Sequence, residues 1–202
     1  MTNQITIIGL GAGELDQMPL GIYKLLKNTE LVYARTIEHP VLKELAAEGL
    51  KVESFDSIYE EHDQFEAVYE EIAEILIQKA KVQDVIYSVP GHPLIAEKTV
   101  QILLSEGEKK GIPVHIKGGQ SFLDAMFTSI KVDPVEGFQF LDGTDLSLRD
   151  VNITQHMIVS QVYDAFVASE VKLTLMEKYP DDHEVYLVTG AGMSSESVER
   201  MP

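Results

Sequence analysis

The chain has 202 residues, 45% of them hydrophobic, and a formal net charge of -17 from 33 acidic and 16 basic side chains. Such an excess of acid argues against a nucleic-acid partner, because phosphate binding depends on lysine and arginine. No apolar run reaches the length that spans a bilayer, so we expect a globular protein without membrane association. The absence of cysteine excludes disulfides and thiolate metal sites and is typical of a cytoplasmic protein.

The amino-terminal stretch predicts a strand, a glycine-rich loop and a helix. An isoleucine-rich run ends at Gly9, and Gly11 and Gly13 follow at alternate positions before Pro19 opens an apolar-periodic segment. Glycines at this spacing allow positive φ angles and let a ligand approach the backbone. We therefore expect residues 9–13, the first glycine loop, to bind a small molecule at the carboxyl end of a strand. A tight connection without a ligand is the alternative.

The dinucleotide fingerprint G-x-G-x-x-G fits this loop poorly. Glu14 occupies the place of the third glycine, and Glu14 and Asp16 would repel a pyrophosphate at the helix amino terminus. The second predicted strand ends near Arg35, which offers no carboxylate for a ribose but suits a 2′-phosphate. An NADP-linked oxidoreductase therefore stays among the hypotheses.

The following stretch alternates predicted strands with helices. Strands are predicted at residues 31–34, 51–55, 84–89 and 114–116, and helices at residues 39–48, 65–79 and 94–110. This alternation predicts parallel strands joined by right-handed crossovers. Residues 90–93, Pro-Gly-His-Pro, form the second glycine loop, which leaves its strand at the same edge as the first. We expect the two loops to converge there on one ligand.

After Lys117 the pattern changes to shorter strands and longer connections. Ser121 is a predicted helix N-cap before residues 122–131, and the later segments predict strands at 137–141, 157–162 and 184–188 around a helix at 165–179. We therefore predict two α/β domains, residues 1–117 with a mainly parallel doubly wound sheet and residues 118–202 with a mixed sheet. The chain stops at Pro202 in what is predicted to be a connector or helix start, as a fragment of a longer protein would.

Motifs for nucleophilic or metal chemistry are absent from the sequence. The six histidines show no ligand spacing, and G-x-S-x-G, H-E-x-x-H and the P-loop pattern do not occur. We therefore predict no metal site and assign no catalytic residue. His92 is the histidine that falls on a candidate ligand loop, with an exposed turn residue as the equal alternative.

Three segments together resemble one protein family. Residues 7–14 read I-I-G-L-G-A-G-E, residues 85–96 read V-I-Y-S-V-P-G-H-P-L-I-A, and residues 118–122 read G-G-Q-S-F. In order and spacing they resemble the three motifs of the tetrapyrrole (corrin/porphyrin) methylases, and the resemblance covers essentially the whole chain. More narrowly, the chain is similar to the amino-terminal part of proteins that join such a methylase to a MazG-type nucleoside triphosphate pyrophosphohydrolase.

The resemblance implies a homodimer with S-adenosyl-L-methionine in a cleft between two α/β domains. Leu10 and Ala12 would border the cofactor beside the glycines of the first loop. By the same resemblance Gly91, His92, Leu94 and Ile95 would hold the amino acid part of the cofactor, and Pro93 between them is also expected at the site. Ser121 and Phe122 would lie near the sulfur, and Val162 and Tyr186 near the adenine. Ala12 replaces the usual proline of the family, and His92 replaces the usual aspartate.

The function that follows is methyl transfer to a small-molecule acceptor, tetrapyrrole-like by family. The second hypothesis is a non-catalytic module that binds a nucleoside ligand or dimerises and is attached to the pyrophosphohydrolase. At a charge of -17 the protein would repel a polycarboxylate tetrapyrrole unless Arg35, Lys117 or Arg149 made a local positive patch.

Overall fold

The computed structural model describes residues 3–62 and 64–202, which form two compact units. The first unit comprises residues up to Met126 together with Gly190–Glu196, and the second comprises Phe127–Thr189 and Ser197–Pro202. The domain boundary after residue 117 stays a prediction, and a helix at Phe122–Ile130 runs through the point where the two units divide.

A parallel five-stranded sheet forms the centre of the first unit. The elements of this unit are β1 (Ile5–Gly9), α1 (Leu20–Lys27), β2 (Leu31–Ala34), α2 (Pro40–Ala47), β3 (Lys51–Ser54), α3 (Asp56–Glu61), α4 (Phe65–Ala80), β4 (Val85–Val89), α5 (Lys98–Lys110), β5 (Val114–Lys117) and the start of α6 (Phe122–Ile130). The strands lie in the order β3-β2-β4-β1-β5, which confirms the predicted mainly parallel α/β fold.

Side chains of β1 are buried on both faces of the sheet. Ile5 and Ile7 lie in one apolar cluster with residues of α4 and α5, whereas Ile8, together with Leu10 just after the strand, lies in a second cluster with residues of α1 and α2. Because successive side chains of a strand point to opposite faces, the sheet carries a helical layer on each side. β1 is thereby fixed at the centre of the unit, and the loop that follows it has a rigid base.

The strand order reverses between β1 and β4. From β1 the chain passes by way of α1 to β2 on the far side of β4, and from β4 it passes by way of α5 to β5 on the far side of β1. Crossovers that leave two neighbouring strands in opposite directions open a crevice beyond their carboxyl ends, where ligands of doubly wound sheets bind. The first and second glycine loops begin at this point.

One predicted helix start is wrong. The helix predicted from residue 94 begins at Lys98, because the chain first makes a turn after His92. The backbone N–H of Ile95 donates to the carbonyl of His92 at 3.0 Å, and Ala96 has a φ of 54°, which interrupts a right-handed helix. The turn lengthens the second loop beyond the carboxyl end of β4.

The second unit contains both parallel and antiparallel strand pairs. β6 (Phe138–Asp142) pairs in parallel with β7 (His156–Ser160), α7 (Ala165–Met176) follows, and β8 (Val185–Thr189) pairs antiparallel with β9 (Ser197–Met201). The expected mixture of pairings is therefore present, as two separate two-stranded sheets within the described residues. The prediction of a connector or helix start near the end of the chain is wrong, since β9 occupies it.

Pairing with β8 explains why a strand forms from the weak pattern S-V-E-R-M. Arg200 lies opposite Tyr186, its guanidinium is 5.9 Å from the centre of that ring, and it forms an ion pair with Glu184. Cross-strand contacts of this kind stabilise a strand whose own residues have low β propensity.

In the two described stretches of the chain, none of the helices combines the length and the apolar character that crossing a bilayer requires.

Candidate functional site

The first and second glycine loops meet, as the sequence predicts. The N–H of Leu10 donates to the carbonyl of Val89 at 2.9 Å, which extends the β1–β4 ladder by one step. Beyond it Gly11 and Gly91 form a reciprocal pair, with Gly11 N–H donating at 3.2 Å and Gly91 N–H donating at 2.8 Å. Two loops about eighty residues apart in the chain are thereby joined backbone to backbone at the crevice.

Glycines of a third loop, residues 118–121 after β5, complete the contact. A Cβ built on Gly9 would lie 2.3 Å from the carbonyl oxygen of Gly91 and 2.9 Å from the nitrogen of Gly119. A Cβ built on Gly119 would lie 2.6 Å from the carbonyl oxygen of Gly9. Side chains at these positions are therefore excluded, and the backbones of the three loops lie directly against one another.

Gly11 and Gly91 are glycine for a different reason. Their φ angles are 87° and 62°, in the left-handed region that other residues rarely adopt. A Cβ built on either residue would meet no other atom within 4 Å. Open space thus adjoins the Cα atoms of both loops, and this is the space that a ligand can use.

His92 connects the second loop to the third. Its Nδ1 accepts a hydrogen bond from the N–H of Leu94 at 3.2 Å, so that the neutral ring carries its proton on Nε2. Nε2 in turn faces Gly118, where a built Cβ would lie only 2.8 Å away. The imidazole is therefore hydrogen-bonded within its own loop and lies close to the backbone of Gly118. Next to it Pro93 is buried, Ile95 is partly buried and Leu94 is exposed.

Ser121 is the N-cap of α6, as predicted. Its Oγ accepts a hydrogen bond from the N–H of Leu123 at 3.1 Å, and the carboxylate of Asp124 accepts one from the N–H of Ser121 at 3.0 Å. This reciprocal arrangement is a capping box with aspartate in the third helical position. The buried hydroxyl of Ser121 thus fixes the third loop, and Phe122 begins the helix immediately after it.

Residues 190–196, between β8 and β9, contact the first glycine loop. This contact was not predicted from the sequence. Glu14 accepts hydrogen bonds from the hydroxyl and N–H of Ser194 at 2.6 and 3.3 Å, and these bonds lower the pKa of its carboxyl. The side-chain amide of Gln17 donates to the carbonyl of Gly192 at 2.5 Å. The tripeptide G-A-G occurs at residues 11–13 and again at residues 190–192, and this repeat was the one feature of the sequence that could have suggested a link between the two segments.

His39 is a second residue that the sequence analysis missed. Its side chain is buried, with 6% of the residue exposed, and its Nε2 lies 3.1 Å from the carbonyl oxygen of Gly11. Burial lowers the pKa of the ring, against a smaller opposing effect of the hydrogen bond to Gly11. From the sequence, a histidine before Pro40 indicates only the start of a helix.

Arg35, at the end of β2, is already paired. Its Nη1 lies 2.7 Å from a carboxylate oxygen of Glu97, which is 6% exposed and directly precedes α5. Burial raises the pKa of Glu97, and Arg35 acts in the opposite direction. A guanidinium held by a buried carboxylate is a poor partner for a ribose 2′-phosphate, which argues against the NADP hypothesis.

Two of the predicted cofactor contacts lie in the second unit. Val162 and Tyr186 belong to the second unit, where both side chains are exposed, and their role near an adenine stays a prediction. Across residues 3–62 and 64–202 the acidic and histidine side chains do not gather into a cluster that could hold a metal ion.

The fold and the site define the class of protein, an α/β protein whose candidate ligand site lies at the reversal point of a parallel sheet. Residues 4–202 match the model of the family Tetrapyrrole (Corrin/Porphyrin) Methylases, and the chain belongs to this family. This confirms the resemblance read from the three motifs.

Individual relatives agree with this assignment. The chain is 54% identical over 202 residues to the uncharacterized protein YabN of Bacillus subtilis (strain 168), and it spans 41% of that protein's length. It also resembles the uroporphyrin-III C-methyl transferase of Thermus thermophilus complexed with S-adenyl homocysteine, with a TM-score of 0.69 and 18% identity over 98% of this chain and 82% of that one. A diphthine synthase gives a TM-score of 0.69 and 19% identity over the same shares of the two chains. At such identities the structural likeness establishes the fold.

Proposed function

We propose that the protein is a methyltransferase that uses S-adenosyl-L-methionine. The observation that carries the proposal is the meeting of three glycine loops at the reversal point, with open space beside Gly11 and Gly91. Family membership supports it, and the neighbour from Thermus thermophilus is named as a methyl transferase complexed with S-adenyl homocysteine.

The residues present fit such a cofactor. Backbone groups of the three loops other than those of the Gly11–Gly91 pair would offer donors and acceptors to its amino acid part and ribose, without a fixed charge. The residues that would hold it are those of the sequence prediction, namely Gly9, Leu10, Gly11, Ala12, Gly13, Gly91, His92, Pro93, Leu94, Ile95, Ser121, Phe122, Val162 and Tyr186.

Methyl transfer asks little acid or base chemistry of the protein. The sulfonium of the cofactor supplies an already activated methyl group, so the chain has to align an acceptor with it and exclude water. Loops tied to each other by backbone hydrogen bonds suit this task, because they hold the cofactor in one position at no cost of reorganisation. We accordingly assign no catalytic acid or base.

Electrostatics bear on the acceptor. Of the three residues that the sequence suggests for a positive patch, Arg35 is neutralised by Glu97, which leaves Lys117 and Arg149 against a net charge of -17. A tetrapyrrole-like acceptor of low charge is therefore favoured over a polycarboxylate one. A screen of acceptors with labelled methyl groups should include both kinds.

A binding module attached to a MazG-type pyrophosphohydrolase is the second candidate function. It is favoured by the length of the 54% identical relative, of which this chain spans 41%. The two functions differ in turnover. Binding of S-adenosyl-L-methionine without methylation of any acceptor in the screen would support the module, and a methylated product would support the enzyme. A thermal shift with NADPH and none with S-adenosyl-L-methionine would contradict both.

Valine in place of Gly11 should abolish cofactor binding. The branched side chain would fill the space beside the loop, and we expect the affinity for S-adenosylhomocysteine to fall by more than about a hundredfold, or about 2.7 kcal/mol. Gly49→Val is the matched control, since Gly49 also has a positive φ of 102° and no atom within 4 Å of a built Cβ but follows α2. Calorimetric titration of both variants measures the difference. Equal losses in the two would show backbone strain as the cause.

Alanine in place of His92 should weaken binding by about five- to tenfold, the value of about one hydrogen bond. The variant loses the acceptor for Leu94 N–H and the contact with Gly118. His92→Asn keeps an acceptor near the Nδ1 position and should retain most of the affinity. His115→Ala, on the exposed face of β5, is the control. Unchanged affinity in His92→Ala would remove His92 from the site.

A further inference from the structure

The side chain of His39 reaches the first glycine loop from a different part of the fold. His39 immediately precedes α2, which follows β2, and β2 is the neighbour of β4 on the side away from β1. Its Nε2 lies 3.1 Å from the carbonyl oxygen of Gly11, and only 6% of His39 is exposed. A contact between residues 28 positions apart in the chain thus links α2 to the candidate site.

The proton on this ring has one possible place. A carbonyl oxygen only accepts hydrogen bonds, so Nε2 must carry the hydrogen that is donated to Gly11. Nδ1 is buried and has no hydrogen-bond partner among residues 3–62 and 64–202. A second proton there would have no acceptor, and the positive end of the α2 dipole would also oppose it. His39 is therefore a neutral donor.

The carbonyl that accepts this hydrogen bond accepts a second one as well. Gly11 O also accepts the N–H of Gly91 at 2.8 Å, in the pair that joins the first and second loops. Gly11 has a left-handed φ and open space beside its Cα, so side-chain packing does not restrain its peptide group. Hydrogen bonds to its carbonyl and N–H have to set that orientation.

We propose that His39 is a positioning residue that fixes the peptide group of Gly11, and through it the joined glycine loops, in the geometry that binds the cofactor. The proposal rests on the function proposed above. His39 does not touch the space beside Gly11, because its ring lies on the carbonyl side and is buried. Its effect on binding is therefore indirect and depends on the donor at Nε2.

Two substitutions separate the donor from the bulk of the side chain. His39→Leu fills a similar volume without a donor, whereas the amide of His39→Gln places an N–H near the position of Nε2. We expect S-adenosylhomocysteine to bind about tenfold more weakly to the leucine variant, the value of about one lost hydrogen bond to the loop, and within about threefold of the native affinity to the glutamine variant. Calorimetry gives the affinities, and urea unfolding gives the stability of each variant.

Amide hydrogen exchange in the ligand-free protein provides a readout that does not depend on the cofactor. The N–H groups of Gly11 and Gly91 should exchange faster in His39→Leu and near the native rate in His39→Gln. Native exchange and native affinity in the leucine variant would overturn the proposal, as would equal losses in leucine and glutamine variants of equal stability.

Failure of the proposed function would be distinguishable. If the native protein bound no S-adenosylhomocysteine, the methyltransferase proposal would fail, and amide exchange would still decide the role of His39. If His39→Leu did not fold, His39→Asn would replace it, because the shorter amide stops short of the Gly11 carbonyl. Faster exchange in the asparagine variant would support the proposal, and a native rate would contradict it.

Discussion

Alanine in place of Gly9 should lower the free energy of unfolding by about 3 kcal/mol, at the upper end of the cost of overpacking. The added methyl would lie 2.3 Å from the carbonyl oxygen of Gly91, 2.8 Å from Cδ of Pro93 and 2.9 Å from the nitrogen of Gly119. Two of these atoms belong to backbone and the third to a rigid ring. No side chain can rotate away, so the second and third loops have to move apart.

Urea unfolding of Gly9→Ala measures this loss, and calorimetry with S-adenosylhomocysteine measures the accompanying loss of binding that displaced loops should cause. Gly21→Ala is the matched control. Gly21 lies on the exposed side of α1 with no atom within 4 Å of a built Cβ, and its replacement should leave stability unchanged or raise it by up to about 1 kcal/mol. Native stability in Gly9→Ala would contradict the close contact of the three loops.

The first unit could be predicted from sequence because its signals are local and regular. β1 and β4 are apolar runs that end at glycine or proline, and α4 shows a clear helical period. Alternation of strands and helices then fixes parallel pairing and places the ends of β1 and β4 at one edge. The convergence of the first two glycine loops followed from this topology alone, without any long-range information.

The remaining contacts of the site depend on tertiary structure, and the sequence offered little to find them. His39 reaches Gly11 through a single side-chain hydrogen bond, and Ser194 reaches Glu14 across 180 positions. No periodicity encodes such contacts. The same holds for β9, whose residues take strand form by pairing with β8, and for the turn after His92, which competes with the helix through hydrogen bonds to that residue.

Removal of the Arg35 side chain should also destabilise the protein, by about 2–3 kcal/mol at pH 7. Arg35→Ala leaves the carboxylate of Glu97 buried without its partner, and the cost stays below that of a fully buried pair because 36% of the Arg35 side chain is exposed to water. Within the first unit Glu97 lies between the second glycine loop and α5, so that the damage should extend to ligand affinity.

The pH dependence of this loss identifies its cause. Burial raises the pKa of Glu97 above its usual 4.5 and Arg35 opposes that rise, so the variant should have a still higher pKa. At pH values between the pKa of Glu97 in the unfolded chain and its higher pKa in the folded chain, the folded state keeps the proton on Glu97 that the unfolded state has released. Stability therefore falls as pH rises through this range. Urea unfolding should therefore show a small deficit for Arg35→Ala near pH 4 that grows toward pH 7.

Two further variants separate a buried carboxylate from other causes of this deficit. Arg35→Ala combined with Glu97→Gln removes the charge together with its partner, and it should recover most of the lost stability at pH 7. Lys27→Ala breaks the ion pair with Glu48, whose N···O distance is 2.8 Å but whose side chains are 41% and 44% exposed, and it should leave the unfolding midpoint unchanged. A deficit in Arg35→Ala of equal size at pH 4 and pH 7 would mean that lost packing of the arginine stem, and not the charge of Glu97, is responsible.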